Sequence, residues 1–251
     1  SKAQRITSIA DFIASRYGKS QLLAGMVTVI AVIGIVPYIA LQLKAVAASV
    51  DVLLEHSGST VELWGIDSTF MIAVVLALFS ILFGTRHLDA TERHEGMVAA
   101  VAFESVVKLV AFIAVGLFVT YGMFGGLGDL FQRAVASPDL GRLLQLDSGR
   151  AGTWTSLILL SGLAILFLPR QFQIIVVENV DESHLKRAVW LFPLYLLLIN
   201  VFVLPLAIGG LLHFGGQGGN PDTFVLTLPL SRGAEALALL AFIGGLSAAT
   251  G

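Results

Sequence analysis

The chain has 251 residues, 56% hydrophobic and 13% charged, with a formal net charge of −2 at pH 7. Soluble domains carry about 25% charged residues, so this deficit, with a mean hydropathy of +0.88, points to lipid as the main solvent. No basic field invites nucleic acid, and the lack of cysteine excludes disulfides, thiolate metal sites and a cysteine nucleophile.

The first predicted element is a short amphipathic helix at the membrane surface, Ile6–Lys19. Ser8 and Asp11 have capping-box spacing, Gly18 fits the helix stop, and Ile9, Phe12 and Ile13 share a face. The first span covers about 22–54. Gly25, Thr28 and Gly34 permit close helix packing, and Pro37 frees a carbonyl, so a kink is expected. Gln42 and Lys44 interrupt its apolar run; Lys44, near the outer end, is read as snorkelling to the interface. An acidic connector without Lys or Arg follows.

The second span, about 66–85, leads into a charged loop, Arg86–Glu95. The third span, about 97–124, carries Glu104 and Lys108. Each charge inside an apolar span costs roughly 2.5–3.5 kcal/mol at the helix centre. At i, i+4 with the acid first they share one face, and Lys108 lies ~16 Å along the span, near mid-membrane. The pair either lines a solute or ion pathway or locks this helix to a neighbour. Residues Gly125–Gly152 form a polar connector in which Leu130–Ala134 and Leu140–Leu144 are expected as short interfacial helices.

The fourth span, about 153–168, closes at Pro169 and is followed by Arg170 and Gln171; it either is a broken transporter helix or simply ends at a proline. The fifth, about 188–209, contains Pro193, Asn200 and Pro205, and a Gly-rich connector, Gly209–Gly233, is expected after it. The sixth, 234–251, stops short of the ~20 residues a crossing helix needs. With no initial Met and no signal peptide, both ends are expected to be cut from a longer membrane protein. Ser247 and Thr250 share a face of this span; they suit either a sodium site or a small-residue packing seam.

Nine of the Lys and Arg residues fall on one set of alternating connectors (Lys2, Arg5, Arg16, Lys19, Arg86, Arg93, Arg170, Lys186, Arg187) and four on the other (Arg133, Arg142, Arg150, Arg232). The richer set is placed in the cytoplasm. His87 and His94, seven apart among Asp89, Glu92 and Glu95, read as a solvated loop rather than a metal site. No Walker A, nucleophile elbow, HExxH or dinucleotide fingerprint occurs, so no catalytic residue is expected.

The opening segment, with Asp11–Phe12 and Arg16–Tyr17 before an apolar span, resembles the segment preceding the fourth helix of the sodium:solute symporter family. The stretch RHLDATERHEGMVAAVAFESVVKLVAF, 86–112, resembles more narrowly the transporter-like domain of CbrA-type sensor histidine kinases, as do LFLPRQFQIIVVENVD and AFIGGLSAATG. The resemblance covers essentially the whole chain. It implies an all-α polytopic membrane protein with a LeuT-like inverted-repeat bundle, of which this piece holds about six transmembrane helices. It also implies a domain that binds or transports a small organic solute, such as an amino acid, and couples it to a downstream histidine kinase in a two-component system. The complete protein would then reside in the plasma membrane and act on a response regulator. The competing expectations are a plain secondary transporter with no kinase and a sensor domain that does not transport.

The residues depart from ordinary symporters in informative places. Where the family carries Trp-Thr-Asp-x-x-Gln, this chain has Phe103 to Lys108, so the family Asp falls on Ser105 and the Gln on Lys108. Where the family often has Gly-Gln-Pro-His, Leu168, Pro169 and Arg170 stand. The family's sodium site uses adjacent hydroxyls, whereas Ser247 is followed by Ala248. The expected coupling ion is Na⁺ or H⁺. Glu104, Lys108, Ser105 and Gln42 are the expected pathway residues, and Ser247 and Thr250 the expected sodium-site residues.

Overall fold

The computed structural model describes residues 8–58, 68–79, 81–82, 95–144, 151–167, 172, 183–215 and 219–250. The charged loop beyond 82 up to 94, and residues 168–171 with Pro169, lie outside them. The described residues are helical and contain no strand. Three helical stretches are long and apolar enough to cross a membrane: Gln21–His56 and Ser183–Phe214, each with mean hydropathy 2.4, and Ala99–Met123 at 2.1. Shorter apolar helices cover Thr69–Leu78, Ala151–Ala164 and Glu235–Ser247. Along Gln21–His56 only Val46 and Ala47 are buried, while Leu22 is 76% and Ile30 66% exposed. Apolar surface on that scale needs a non-aqueous partner; the chain is an all-α polytopic membrane protein.

The chain forms two compact units. The first comprises Ser1–Ala40, Leu88–Val98 and Leu146–Ala188. In it, α1 (Ile9–Arg16) starts where the Ser8 hydroxyl accepts a hydrogen bond from the Asp11 N–H at 3.1 Å. It stops at Gly18, whose φ of +69° is the left-handed value a side chain disfavours. Ala10 and Ala14 form its buried edge; Phe12 meets the Phe172 ring at 5.5 Å, and the Arg16 guanidinium lies over Phe12 at 5.4 Å. The unit also holds α7 (Ala151–Phe167) and residues 21–40 of α2 (Gln21–His56). Pro37 lies inside α2, which remains helical through it.

The second unit comprises Leu41–His87, Ala99–Gln145 and Val189–Gly251. Its helices are α3 (Ser68–Phe79), α4 (Glu95–Leu117), α5 (Leu127–Ala136), α6 (Pro138–Leu143), α8 (Ser183–Asn200), α9 (Val203–Phe214), α10 (Phe224–Ser231) and α11 (Glu235–Thr250). The first residues of α4 and α8 belong to the other unit. The core joins Val115, Val119, Leu206, Phe224, Leu226, Leu228 and Ala241. A second cluster packs Leu130 and Ala134 of α5 and Leu140 of α6 against Ile208.

Three local features are notable. Within the stretch Ser183–Phe214, which holds the fifth expected span, α8 ends at Asn200 and α9 begins at Val203. Pro205 sits in the first turn of α9, where its missing N–H costs no helical bond. The expected connector 209–233 is partly helical. Gly209 and Gly210 lie buried within α9, because only a residue without Cβ fits there: a Cβ on Gly210 would overlap the Phe224 ring, and one on Gly209 would come 2.7 Å from Val119 Cγ1. Phe224–Ser231 forms α10, with Phe224, Leu226, Leu228, Pro229 and Leu230 buried. Finally, α4 continues as a π-helix, Phe118–Met123, rather than as regular α-helix. The turn enters the core through Val119 and Thr120, and the buried Thr120 hydroxyl has no hydrogen-bond partner among the described residues.

On the solvent side of α5, Arg133 Nε donates to Asp129 Oδ1 at 2.8 Å and the Gly125 N–H to Oδ2 at 3.0 Å. The Arg133 hydrogen bond, then that from Gly125, holds the Asp129 carboxyl below the usual carboxylate range. Its stabilising contribution is present at neutral pH and is lost as pH falls through this lowered value, below about pH 4. Asp129→Asn is expected to flatten the acid limb of an unfolding-temperature profile. An unchanged acid limb would show that the contacts carry no stability.

Candidate functional site

The third span brings its two charges together. Lys108 Nζ is ion-paired with Glu104 Oε1 across one turn of α4, and the two side chains are 20% and 12% exposed. Glu104 Oε1 is shut off from solvent and, among the described residues, has no hydrogen-bond donor of good geometry; the Lys108 ammonium is its counter-charge. A carboxylate can accept about four hydrogen bonds, so this one retains unused capacity in an enclosed place. Next to the pair, the Tyr195 hydroxyl on α8 donates to the Ser105 carbonyl at 3.3 Å, within electrostatic reach of Glu104. The Ser105 hydroxyl is turned into its own helix, donating to the Val101 carbonyl at 2.9 Å.

Lys108 also lines a cavity of about 210 Å³. Ala111 and Phe112 of α4, Ile199 of α8, Val225 of α10 and Ala241, Gly244 and Gly245 of α11 complete its wall. The wall is apolar except for Lys108. Gly244 is what allows α11 this close: a Cβ there would lie 2.8 Å from Ala111 Cβ, inside van der Waals contact. The volume equals about seven water molecules at roughly 30 Å³ each, room for a small solute.

A second hollow of about 320 Å³ is lined by Val52, Glu55 and His56 of α2 and by Thr227, Leu230 and Ser231 of α10. It is larger but wide open. Its Glu55 and His56 are exposed, and the Thr227 and Ser231 hydroxyls are spent on the Thr223 and Leu228 carbonyls. The smaller cavity is bordered by Lys108, the ion-pair partner of Glu104, and the candidate site is placed there.

Of the other expected residues, Gln42 is half-buried on α2 and does not line the cavity. Ser247 is half-buried on α11, one turn beyond Gly244, and is not part of the wall either. Thr250 is the last residue of α11, and its side chain is outside the described part. His87, His94, Asp89 and Glu92 also lie outside it. Tyr195, Ile199 and Val225 were not anticipated. Their signal was present only as apolar or aromatic residues on separate segments, which nothing local connects to Lys108.

No protein-family model matches the chain, and no solved structure matches it. Among curated proteins, the chain is 25% identical over 235 residues to one described as the uncharacterized symporter YhjB of Bacillus subtilis. That match takes in 91% of this chain and 44% of the relative, so the chain spans less than half the relative's length. The apolar helices make this a membrane protein, and the protein it is similar to is described as a symporter.

Proposed function

We propose that the chain is the solute-binding part of a plasma-membrane transporter of the sodium:solute symporter type, with a LeuT-like inverted-repeat fold. It binds a small organic solute, such as an amino acid, and moves it by alternating access driven by Na⁺ or H⁺. The observation that carries this is the ion pair enclosed in a membrane-crossing helix beside a small cavity. Ionisable groups at such depth mark solute or ion pathways, and the relative described as a symporter points the same way.

A finer reading places this domain ahead of a cytoplasmic histidine kinase that reports solute occupancy to a response regulator. It is supported by the resemblance of residues 86–112 to CbrA-type sensors. Signal passes only if the solute binds two conformations with different affinity.

The test is uptake of labelled amino acids into proteoliposomes carrying the complete protein, with and without Na⁺ or H⁺ gradients. Gradient-driven accumulation is expected. Binding without accumulation would leave a sensor that does not transport, and neither binding nor accumulation of any small solute would overturn the proposal. Solute-dependent autophosphorylation of the complete protein tests the finer reading; a complete protein without a kinase region removes it.

A further inference from the structure

Glu104 and Lys108 compensate each other only while both are charged. The Glu104 side chain is 12% exposed and its Oε1 atom is shut off from water, so its counter-charge is the Lys108 ammonium. The Tyr195 hydroxyl of α8, the other ionisable group beside it, is spent on the Ser105 carbonyl. The remaining ionisable residues of α8, His184, Lys186 and Arg187, fall in its first two turns. Of the other helices that wall the adjoining cavity, α10 has no ionisable residue and α11 has only Glu235, at its first position.

A proton on Glu104 undoes this balance. It neutralises the carboxylate and leaves the Lys108 ammonium as an uncompensated charge in a low-dielectric setting, a state strongly opposed. An anion relieves it. Lys108 borders the cavity of about 210 Å³, and its ammonium carries three N–H donors on a flexible four-carbon stem. Released from Glu104, it can turn toward a ligand there. An anion that arrives while Glu104 is still ionised instead leaves one negative charge unbalanced. Proton and anion therefore favour each other, because only together do they keep the site neutral. The rest of the wall, Ala111, Phe112, Ile199, Val225 and Ala241 among it, is apolar. It suits a hydrocarbon chain of a few carbons and offers nothing to a sugar hydroxyl or an α-ammonium.

We propose that Glu104 is a proton-binding site, and that its protonation frees Lys108 to hold a small monocarboxylate whose hydrocarbon part fills the adjoining cavity. The proton passes from water to a Glu104 carboxylate oxygen and no bond of the solute breaks. The Glu104–Lys108 ion pair is replaced by one between Lys108 and the solute. The inference rests on the transport reading above and narrows it: the coupling ion is H⁺, and the solute carries one negative charge and no ammonium.

The experiment measures binding to the complete protein in lipid nanodiscs between about pH 8 and about pH 6, where these carboxylates stay ionised. The probes are propionate, butyrate, propionamide (uncharged) and L-alanine, which is propionate with an added α-ammonium. Propionate or butyrate is expected to bind at least tenfold more tightly at the lower pH, as one co-bound proton requires. Propionamide and L-alanine are expected to bind at least tenfold more weakly than propionate there. Glu104→Gln, a neutral stand-in for the protonated acid, is expected to hold propionate equally well at both pH values while losing proton-driven uptake. Lys108→Gln is expected to lose propionate binding. A pair that only locks helices predicts no such exchange of pH dependence for constant binding.

Propionate binding that ignores pH in the wild type would overturn the inference. So would binding of neither carboxylate, or propionamide or L-alanine bound as tightly as propionate. If L-alanine or another solute is then accumulated, the transport reading stands and the proton–carboxylate reading falls. If nothing is bound or taken up, both fall. The wild-type pH profile with the four probes decides the matter even if neither single variant folds.

Discussion

Lys108→Gln is expected to destabilise the folded protein by about 3–5 kcal/mol, because it leaves the Glu104 carboxylate enclosed without its counter-charge. Glu104→Gln is expected to cost a similar amount by stranding the ammonium. The pair is costly to break because both side chains are largely shielded, at 12% and 20% exposure. Arg133–Asp129 has the same i, i+4 spacing, but those side chains are 31% and 60% exposed on the aspartate and arginine sides. Water screens that pair, and its loss is expected to matter far less.

The double variant Glu104→Gln, Lys108→Gln removes both charges and is expected to recover most of the stability lost by either single change. Solute uptake should follow a different rule: both single variants and the double variant are expected to be impaired, since none retains the two charges. Thermal unfolding of the complete protein in nanodiscs, run as a double-mutant cycle beside uptake, separates the two effects. Strictly additive destabilisation would show that the side chains do not interact.

Gly210→Ala is expected to destabilise by about 1–3 kcal/mol, the usual cost of overpacking a filled core. The new methyl would be driven into the Phe224 ring. Phe224 cannot easily yield: it is 4% exposed, packs in the core with Leu206 and Leu228, and stacks on Phe214 at 5.6 Å. Phe224→Leu in the Gly210→Ala background is expected to restore part of the loss by vacating that volume, while costing stability on its own. Unfolding of all three variants checks this. A Gly210→Ala protein as stable as wild type would mean that the ring moves aside at little cost. Gly116, which faces the Phe202 side chain in the same way, is expected to be as intolerant of alanine.

The positions of most helices could be read locally. Apolar runs long enough for a bilayer announce the helices at 21–56 and 95–117, and Ser8 with Gly18 brackets the first short helix. The reading failed where local chemistry and packing disagree. Gly209 and Gly210 look like a connector because glycine weakens an isolated helix; in the fold they are helical because a neighbouring ring occupies the place of a side chain. Phe224–Ser231 contains Pro229 and follows a Gly-rich segment, so its pattern suggests a loop. Burial on nearly every side holds it as a helix. The π-turn at 118–123 has no marker in its residue types.

The same division runs through the site. Sequence alone determined that Glu104 and Lys108 sit one turn apart on a single apolar helix, because a period of 3.6 residues places i and i+4 on one face whatever surrounds them. It also determined that lipid is the main solvent, since composition fixes how much apolar surface must be covered. Only the tertiary structure decided that the pair is largely shielded and that Lys108 borders a cavity. That cavity is built by Ile199, Val225, Ala241 and Gly244, about 90 to 140 positions along the chain from Lys108. Contacts at that separation depend on how helices pack, and packing depends on where two surfaces meet closely enough to exclude a methyl group, as Gly244 does against Ala111.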